Sequence, residues 1–428
     1  MSTPRLARRL GTTDAVVIGL GSMIGAGVFA AFAPAAAVAG TGLLVGLAVA
    51  AAVAYCNATS SAQLAAQYPT SGGTYVYGRE RLGPWWGYLA GWAFVIGKTA
   101  SCAAMALTFA AYAVPSAWQR PVAVAAVVAL AAVNYHGVTR TARVTRLTVS
   151  VTLLALAVMV GVTLTGPSVD TSRLLEWSMT DVGWYGVLQS AGLLFFAFAG
   201  YARIATLGEE VRDPRRTIPK AIQIALAGTV AVYAAVAVTV IAALGAPRVA
   251  ATAAPLAAAV EAGAWNGASI VVRVGAAVAA LGALLALIAG IGRTSLAMAR
   301  NRDLPGWLAA VHPKHQVPHH AEVALAVVVS VLVLLVDLRG AIGFSSFGVL
   351  LYYLVANLSA WTQSGPQRRF PRWLQVLGAL GCLVLVVTLP LASVVSGLAV
   401  LGCGVLVRLA RLRWARHGSD GDVGLPRQ

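Results

Sequence analysis

The chain has 428 residues, of which 59% are hydrophobic and only 11% are charged. Soluble domains carry about 25% charged residues, so this composition excludes a soluble protein and predicts an integral membrane protein. The formal net charge of +17 would suit nucleic-acid binding, but the basic residues are spread over the loops between apolar segments, which argues against a nucleic-acid partner.

A segment needs about 20 apolar residues to cross about 30 Å of hydrocarbon. Twelve such segments follow one another without an inserted soluble domain, and we number them spans 1 to 12. They cover residues 14–38, 41–64, 84–114, 121–138, 147–166, 183–208, 219–245, 267–298, 322–337, 341–362, 373–390 and 392–410.

The basic residues predict how the spans are oriented. When the spans alternate in direction, most of the 31 lysines and arginines fall in loops on one side. Loops rich in lysine and arginine stay in the cytoplasm. We therefore expect a multi-pass protein of the plasma membrane with a cytoplasmic N-terminus (residues 1–13) and C-terminal tail (residues 411–428), and with its positive loops facing anionic lipid.

Span 1 contains a run that does not suit a helix in lipid, Gly21-Ser22-Met23-Ile24-Gly25-Ala26-Gly27. Each glycine inside a helix costs about 1 kcal/mol relative to alanine. Unpaired backbone is tolerated at membrane depth only where it lines a cavity or is covered by protein. The run therefore predicts a break that presents main-chain amides to a site inside the membrane.

Span 6 carries a weaker interruption of the same kind, Phe195-Phe196-Ala197-Phe198-Ala199-Gly200-Tyr201-Ala202-Arg203. Each interruption lies in the first helix of a set of five spans. Paired interruptions at corresponding positions are typical of transporters built from inverted repeats, whose binding site lies at the breaks. We expect residues 14–166 and 183–362 to form the two repeats, with residues 373–410 as two additional spans.

Four motifs, taken together, resemble the amino acid–polyamine–organocation transporter superfamily. They are Gly21–Phe29, Pro69–Tyr75, Phe195–Tyr201 followed by Glu209–Ile222, and Met298–Pro305, where one residue is inserted into the usual Ala-Arg-Asp-Gly pattern. The resemblance implies the leucine-transporter-type fold: an all-α membrane protein of twelve transmembrane helices, a five-plus-five inverted repeat with helices 1 and 6 broken, and two extra C-terminal helices. It also implies secondary active amino acid transport without a cofactor.

An amino acid needs one site for its carboxylate and one for its ammonium group. The half-helix after the first break offers free amides and a positive dipole end to an anion, at Gly25, Ala26 and Gly27. The second break offers carbonyl groups to the ammonium. The predicted substrate site consists of Ser22, Ile24, Gly25, Ala26, Gly27, Ala197, Phe198, Ala199 and Tyr201.

Two kinds of gate are predicted around this site. An aromatic residue of helix 6 covers the substrate in relatives, which suggests Phe198 or Tyr201 here, while the alternative for both is plain packing. Glu209 and Glu210 precede a basic cluster below the break. They are expected either to form ion pairs that close an inner gate or to lie in a solvated loop.

Lys98 is a charged residue in the middle of span 3, about 21 Å along the helix from Pro84. A charge at that depth costs several kcal/mol, so it is expected to face the protein interior and to be functional. One hypothesis is a proton-coupling or substrate-sensing amine. The other is a structural hydrogen bond to the carbonyls of a broken helix.

The sequence alone does not determine the coupling ion. Some proton-coupled relatives carry a lysine in helix 5, which span 5 lacks, and Thr294 and Ser295 resemble the hydroxyl pairs that bind sodium in other relatives. We favour protons over sodium, with exchange as a further possibility. Lys98 and Arg203 near the site would repel cations, which favours neutral amino acids over the alternative of polyamines or other organic cations.

Other classes of function have less support. Four histidines in residues 312–320 could suggest a metal site, but two prolines interrupt their spacing and no cysteine or acidic residue joins them, so we expect no metal. An enzyme embedded in the membrane would need paired acids or a histidine dyad at depth, and nearly all the acids lie in loops or at the ends of spans. A transporter-like sensor remains the alternative from a different class.

Overall fold

A computed structural model of the chain describes residues 10–70, 72–137, 142–176 and 179–420. The predictions that concern residues 1–9, Ser71, Arg140 and residues 421–428 lie outside the described residues. The described residues fold almost entirely into helices, and one isolated parallel bridge joins Leu10 to Val211. The prediction of an all-α protein is confirmed.

The helices of the first five spans begin and end close to the predicted positions. They are Thr12–Met23, Gly27–Ala30 and Phe32–Ala39 in span 1, Leu43–Gln67 in span 2, Pro84–Ala113 in span 3, Gln119–Tyr135 in span 4 and Ala142–Leu164 in span 5. The separate helix Gly73–Leu82 lies between spans 2 and 3. Span 1 is therefore divided, as its glycine run predicts.

The later spans are equally close to the prediction. Their helices are Met179–Phe198 and Ala202–Ala205 in span 6, Pro214–Ala251 in span 7, Ser269–Arg300 in span 8, His319–Leu335 in span 9, Leu338–Trp361 in span 10, Arg372–Thr388 in span 11 and Leu391–Asp420 in span 12. A short helix, Pro255–Glu261, connects spans 7 and 8. Seven 3₁₀ turns complete the described helices: Gly40–Gly42, Ser116–Trp118, Thr171–Leu174, Ala199–Tyr201, Asn266–Ala268, Gly306–Ala309 and Gly365–Gln367.

Length and composition make this a multi-pass membrane protein. Within the described ranges, ten helices are long and apolar enough to cross a bilayer. The helices of spans 9 and 11 are also apolar but shorter, so the twelve predicted spans all correspond to apolar helices. Large apolar side chains such as Leu147 and Leu335 are exposed on the outer surface, as expected for residues that contact lipid.

Span 7 stops being a regular helix at Gly245, whose φ of 72° is left-handed. The carbonyl groups that lose their helical partners there are satisfied by Arg173, whose guanidinium donates to Ala242 (3.1 Å) and Ala243 (2.6 Å). Arg173 is positioned by the loop that begins at Asp170. Hydrogen bonds from the hydroxyl and amide of Ser172 hold the pKa of the Asp170 carboxyl below its usual value.

A buried ionic cluster fixes span 12 to the ends of spans 3 and 8. The Asp303 carboxylate, just after span 8, lies 2.7 Å from the Arg408 guanidinium of span 12 and accepts a hydrogen bond from the Tyr75 hydroxyl at 2.8 Å. Burial and the neighbouring Asp303 raise the pKa of Tyr75 to about 12, so its phenol stays protonated and donates. The Arg408 guanidinium also stacks on the ring of Tyr88, 4.3 Å from its centre.

This cluster predicts a large stability difference between two ion pairs. Removing one partner of a buried pair costs about 3–5 kcal/mol, whereas an exposed pair contributes about 0–1 kcal/mol. Asp303→Leu should therefore lower the melting temperature of the detergent-purified protein clearly, and the double variant with Arg408→Leu should lose less than the sum of the two single variants. Arg216→Ala, which breaks the exposed pair with Asp213, is the control. Equal losses in the two single variants Asp303→Leu and Arg216→Ala would contradict the role of the buried cluster.

Candidate functional site

The first break spans Ile24, Gly25 and Ala26, between the helices Thr12–Met23 and Gly27–Ala30. The amide of Ile24 still donates to the Leu20 carbonyl at 2.6 Å. The next three amides, of Gly25, Ala26 and Gly27, have no hydrogen-bond partner in the described parts of the chain, although all three residues are buried. The break thus presents three adjacent N–H groups at the start of a half-helix, which is an arrangement suited to an anion.

The second break is the 3₁₀ turn Ala199–Tyr201, and it packs directly against the first. A Cβ added to Gly27 would lie 2.7 Å from the Cα of Ala197, and one added to Gly200 would lie 2.1 Å from the Ser22 carbonyl oxygen. Only glycine permits backbone to approach backbone this closely. The structure therefore brings together the two interruptions that the sequence places far apart.

Tyr233 of span 7 bridges the two breaks. Its hydroxyl oxygen lies 2.5 Å from the Met23 carbonyl oxygen and 3.0 Å from that of Ala197. A phenol has one hydrogen, so the two carbonyls share it. Phe198 packs edge-on against the Tyr233 ring, with 5.1 Å between the centroids. The sequence analysis missed Tyr233, whose only signal is a hydroxyl within an apolar span.

The carbonyl of Ala199 receives two donors. The Lys98 ammonium lies 3.4 Å from its oxygen, and the hydroxyl of Tyr353 in span 10 lies 3.2 Å from it. Lys98 is buried and Tyr353 stacks on Tyr201 at 4.8 Å, so these side chains form a compact layer beside the second break. Lys98 does reach the break, whereas the side chain of Arg203 is exposed one turn further on.

For the remaining predicted site residues, the contacts lie within their own helices or in the packing between spans. The hydroxyls of Ser22 and Thr294 donate to carbonyls of their own helices, at Ile18 (2.8 Å) and Gly290 (3.1 Å). Ile24 and Ser295 are buried. Gly25 faces span 8, where a Cβ on it would lie 3.2 Å from that of Ala283.

The segment below the second break is tied to the start of the described chain. The Leu10 amide donates to the Glu210 carbonyl at 3.0 Å, and the Arg212 amide donates to the Leu10 carbonyl at 2.9 Å. Glu209 and Glu210 are partly exposed. An ion pair between Arg146 and Asp14 joins span 5 to the first turn of span 1. The role of Glu209 and Glu210 in an inner gate stays a prediction.

Access to the breaks differs between the two sides of the molecule. Beyond the first break the Tyr112 hydroxyl donates to the Phe29 carbonyl at 3.1 Å and accepts from the Leu256 amide at 3.4 Å, and all three residues are buried. On the opposite side, where span 1 begins, Ser22 and Gly200 are partly exposed. The site is therefore enclosed by buried residues beyond the first break and is less completely covered on the side on which span 1 begins.

The histidine-rich loop lies away from the breaks. His312, His315 and His319 gather around the ring of Tyr135, with centroid distances of 5.4, 6.2 and 6.1 Å. These contacts are ring packing at the end of span 4, and the loop takes no part in the candidate site.

Comparisons with known proteins identify transport proteins that are similar to this chain over most of its length. The family model described as amino acid permease matches residues 10–402. An uncharacterised transporter of Mycobacterium tuberculosis is 60% identical, with 98% of this chain and 95% of the relative covered. A branched-chain amino acid permease of Bacillus subtilis is 24% identical (94% and 88% covered), and human cationic amino acid transporter 4 is 30% identical (81% and 58% covered).

The contact between the breaks predicts an intolerance to a single methyl group. Gly200→Ala would place its Cβ against the backbone of Ser22, which cannot move aside as a flexible side chain could. We therefore expect the free energy of unfolding to fall by about 1–3 kcal/mol, as it does when a core is overpacked. Gly290→Ala is the matched control, because a Cβ there meets nothing within 4 Å. The melting temperature in detergent should fall for Gly200→Ala and stay or rise for Gly290→Ala. An unchanged value for Gly200→Ala would contradict the close approach.

Proposed function

The chain belongs to the amino acid permease family and is an amino acid transporter, and from this premise we propose how it selects and drives its substrate. We propose a secondary transporter of neutral amino acids in the plasma membrane, with both termini in the cytoplasm, that alternates access around the two breaks. The observation that carries this proposal is the direct packing of the two breaks against each other. The first has three amides without an acceptor among the described residues, and the carbonyls of the second accept from Lys98, Tyr233 and Tyr353.

The substrate carboxylate binds the amides of Gly25, Ala26 and Gly27 in this proposal. Its ammonium binds the carbonyls of the second break. The Ala197 carbonyl accepts from one protein group and has a lone pair left for a second donor, whereas the Ala199 carbonyl already accepts from two, so the ammonium must displace one of them there. Phe198 moves with the second break and covers the bound substrate.

The charges near the breaks favour a neutral substrate. The Lys98 ammonium is buried beside the second break, and a cationic side chain bound there would be repelled by about 4 kcal/mol at 4 Å and an effective dielectric constant of 20. The similarity to a branched-chain amino acid permease agrees with this choice. The alternative substrates are cationic amino acids or polyamines, since a relative with 30% identity is named as a cationic amino acid transporter.

The substrate class can be tested by thermal shift. Purified protein should be melted with each amino acid and with putrescine, at several pH values, with and without sodium. Leucine, isoleucine and valine should raise the melting temperature, whereas arginine, lysine and putrescine should not. A rise with arginine alone would overturn the neutral class, and no rise with any amino acid would point to a sensor or another solute.

Protons drive uptake in this proposal, and Lys98 carries the proton. Lys98 contacts the Ala199 carbonyl, one of the acceptors that we assign to the substrate ammonium, so the protonation state of Lys98 and the occupancy of this acceptor are linked. Sodium has less support, because the Thr294 hydroxyl is engaged with its own helix. Exchange without net proton movement is the alternative mechanism.

Lys98→Met should separate binding from coupling. The variant should still be stabilised by the substrate found above, but its net uptake into proteoliposomes should fall at least ten-fold and should no longer depend on pH. Thr99→Val is the control, because among the described residues that hydroxyl bonds only the Val95 carbonyl of its own helix. Full uptake by Lys98→Met with an unchanged pH profile would sink the coupling role.

A further inference from the structure

A row of buried polar side chains runs between spans 2 and 10, and we call it the polar row. Its members are Asn57, Ser60 and Gln63 of span 2, Tyr353 and Asn357 of span 10, and Gln363 just beyond span 10. Their three- and four-residue spacing places them on one face of each helix. All six are fully buried, at 0% exposure.

The members of the polar row are hydrogen-bonded from one helix to the other. The Asn357 amide donates to the Asn57 side-chain oxygen at 2.6 Å, and the Ser60 hydroxyl donates to the Asn357 side-chain oxygen at 2.7 Å. Further along, the side-chain amide of Gln63 donates to the backbone carbonyl of Ala360 at 3.3 Å. The Gln363 amide then donates to the Gln67 side-chain oxygen at 2.6 Å. The contacts therefore continue over more than two helical turns.

The two ends of the row differ in what they touch. At one end, the Tyr353 hydroxyl donates to the Ala199 carbonyl, the same oxygen that Lys98 contacts. At the other end, the side-chain oxygen of Gln63 accepts from the amides of Arg369 and Phe370, and Gln67 is partly exposed. The row therefore leads from the second break to the surface on which span 2 ends.

Several buried polar atoms of spans 2, 10 and 11 and of Gln363 have no partner among the described residues. They are Asn57 Nδ2, Ser61 Oγ, Ser359 Oγ, Gln363 Oε1 and both polar atoms of the Gln375 side chain on span 11. Each of these residues is at least 98% buried. An unsatisfied buried polar atom costs about 1–3 kcal/mol, and native proteins satisfy such groups with ordered water. So many orphan atoms in the spans that carry the row are more than a simple helix-to-helix contact requires.

We propose that the polar row holds a chain of water molecules that conducts protons between Lys98 and the inner surface, apart from the route that the substrate takes past Ser22 and Gly200. This inference rests on the proposed function and supplies its proton route. The Lys98 ammonium gives one proton to a neighbouring water and keeps the electron pair as a neutral amine. Each water passes on one proton, and one proton leaves the row near Gln67.

The side chains of the row have distinct roles in this route. Amide and hydroxyl groups of Asn57, Ser60 and Gln63 orient the water without being titrated. The Tyr353 hydroxyl can accept a proton on its oxygen and release its own. Among the described residues, the titratable groups near the row include Lys98, Tyr201, Tyr353 and Cys382, and Tyr68, Arg368 and Arg369 lie at its inner end.

The experiment uses full-length protein in liposomes that enclose a pH-sensitive dye, with the amino acid that gives the largest thermal shift. Net uptake is compared with counterflow exchange, which needs no net proton movement. Gln63→Met should reduce the proton flux that accompanies net uptake at least ten-fold while counterflow stays within two-fold of the wild type. Ser60→Ala should give the same split, and Ser60→Thr should restore the flux. Thr239→Val is the control, a buried hydroxyl of span 7 that bonds its own helix.

The readouts separate the outcomes. Undiminished proton flux in both Gln63→Met and Ser60→Ala would overturn the proposal and leave the row as a contact between helices. Net uptake by the wild type without any proton flux would also overturn it, while leaving amino acid transport intact. If the wild type shows neither binding nor counterflow with any amino acid, the proposed function on which the inference rests is refuted instead.

Discussion

Backbone groups that leave a helix inside a membrane must find partners within the protein, because lipid offers none. The rest of this structure depends on that constraint. Both breaks free main-chain groups at membrane depth, and the protein resolves this by packing the breaks against each other through Gly27 and Gly200. The freed carbonyls are then served by Tyr233, Tyr353 and Lys98 from three other spans. In the part of the chain that the structure describes, the amides of the first break are left without such partners.

This unequal treatment of amides and carbonyls has a mechanistic consequence. Protein donors already cover the carbonyl side, whereas nothing in the described residues accepts from the amides of Gly25, Ala26 and Gly27. In the proposed mechanism an anion therefore binds amides that have no protein acceptor in the described part of the chain, while an ammonium group must share or displace existing donors. In the proposed mechanism the carboxylate is consequently the anchor of the substrate. Its ammonium is the part that changes the protein, by competing with Lys98 for the Ala199 carbonyl.

The sequence predicted those features that conflict with their surroundings. Glycines in a membrane helix and a lysine at membrane depth are each unfavourable where they stand, so the breaks and Lys98 could be identified without a structure. The partners could not be identified, because each is an ordinary residue in its own segment. Tyr233 lies 210 residues from Met23, and Asn357 lies 300 residues from Asn57. Only the fold brings such residues together, and the same holds for the ion pair of Arg408 with Asp303.

The position of Lys98 depends on small residues that themselves carry no chemistry. Gly97, its neighbour, packs against span 10 so closely that a Cβ would lie 3.1 Å from the Cα of Gly348, and a Cβ on Gly348 would lie 2.6 Å from the Ala93 carbonyl oxygen. Spans 3 and 10 therefore approach each other at the level of the second break. Because of this approach, Lys98 from one span and Tyr353 from the other meet on a single carbonyl oxygen. A larger residue at Gly97 or Gly348 would push the spans apart and break that shared contact, although neither Lys98 nor Tyr353 would itself be changed.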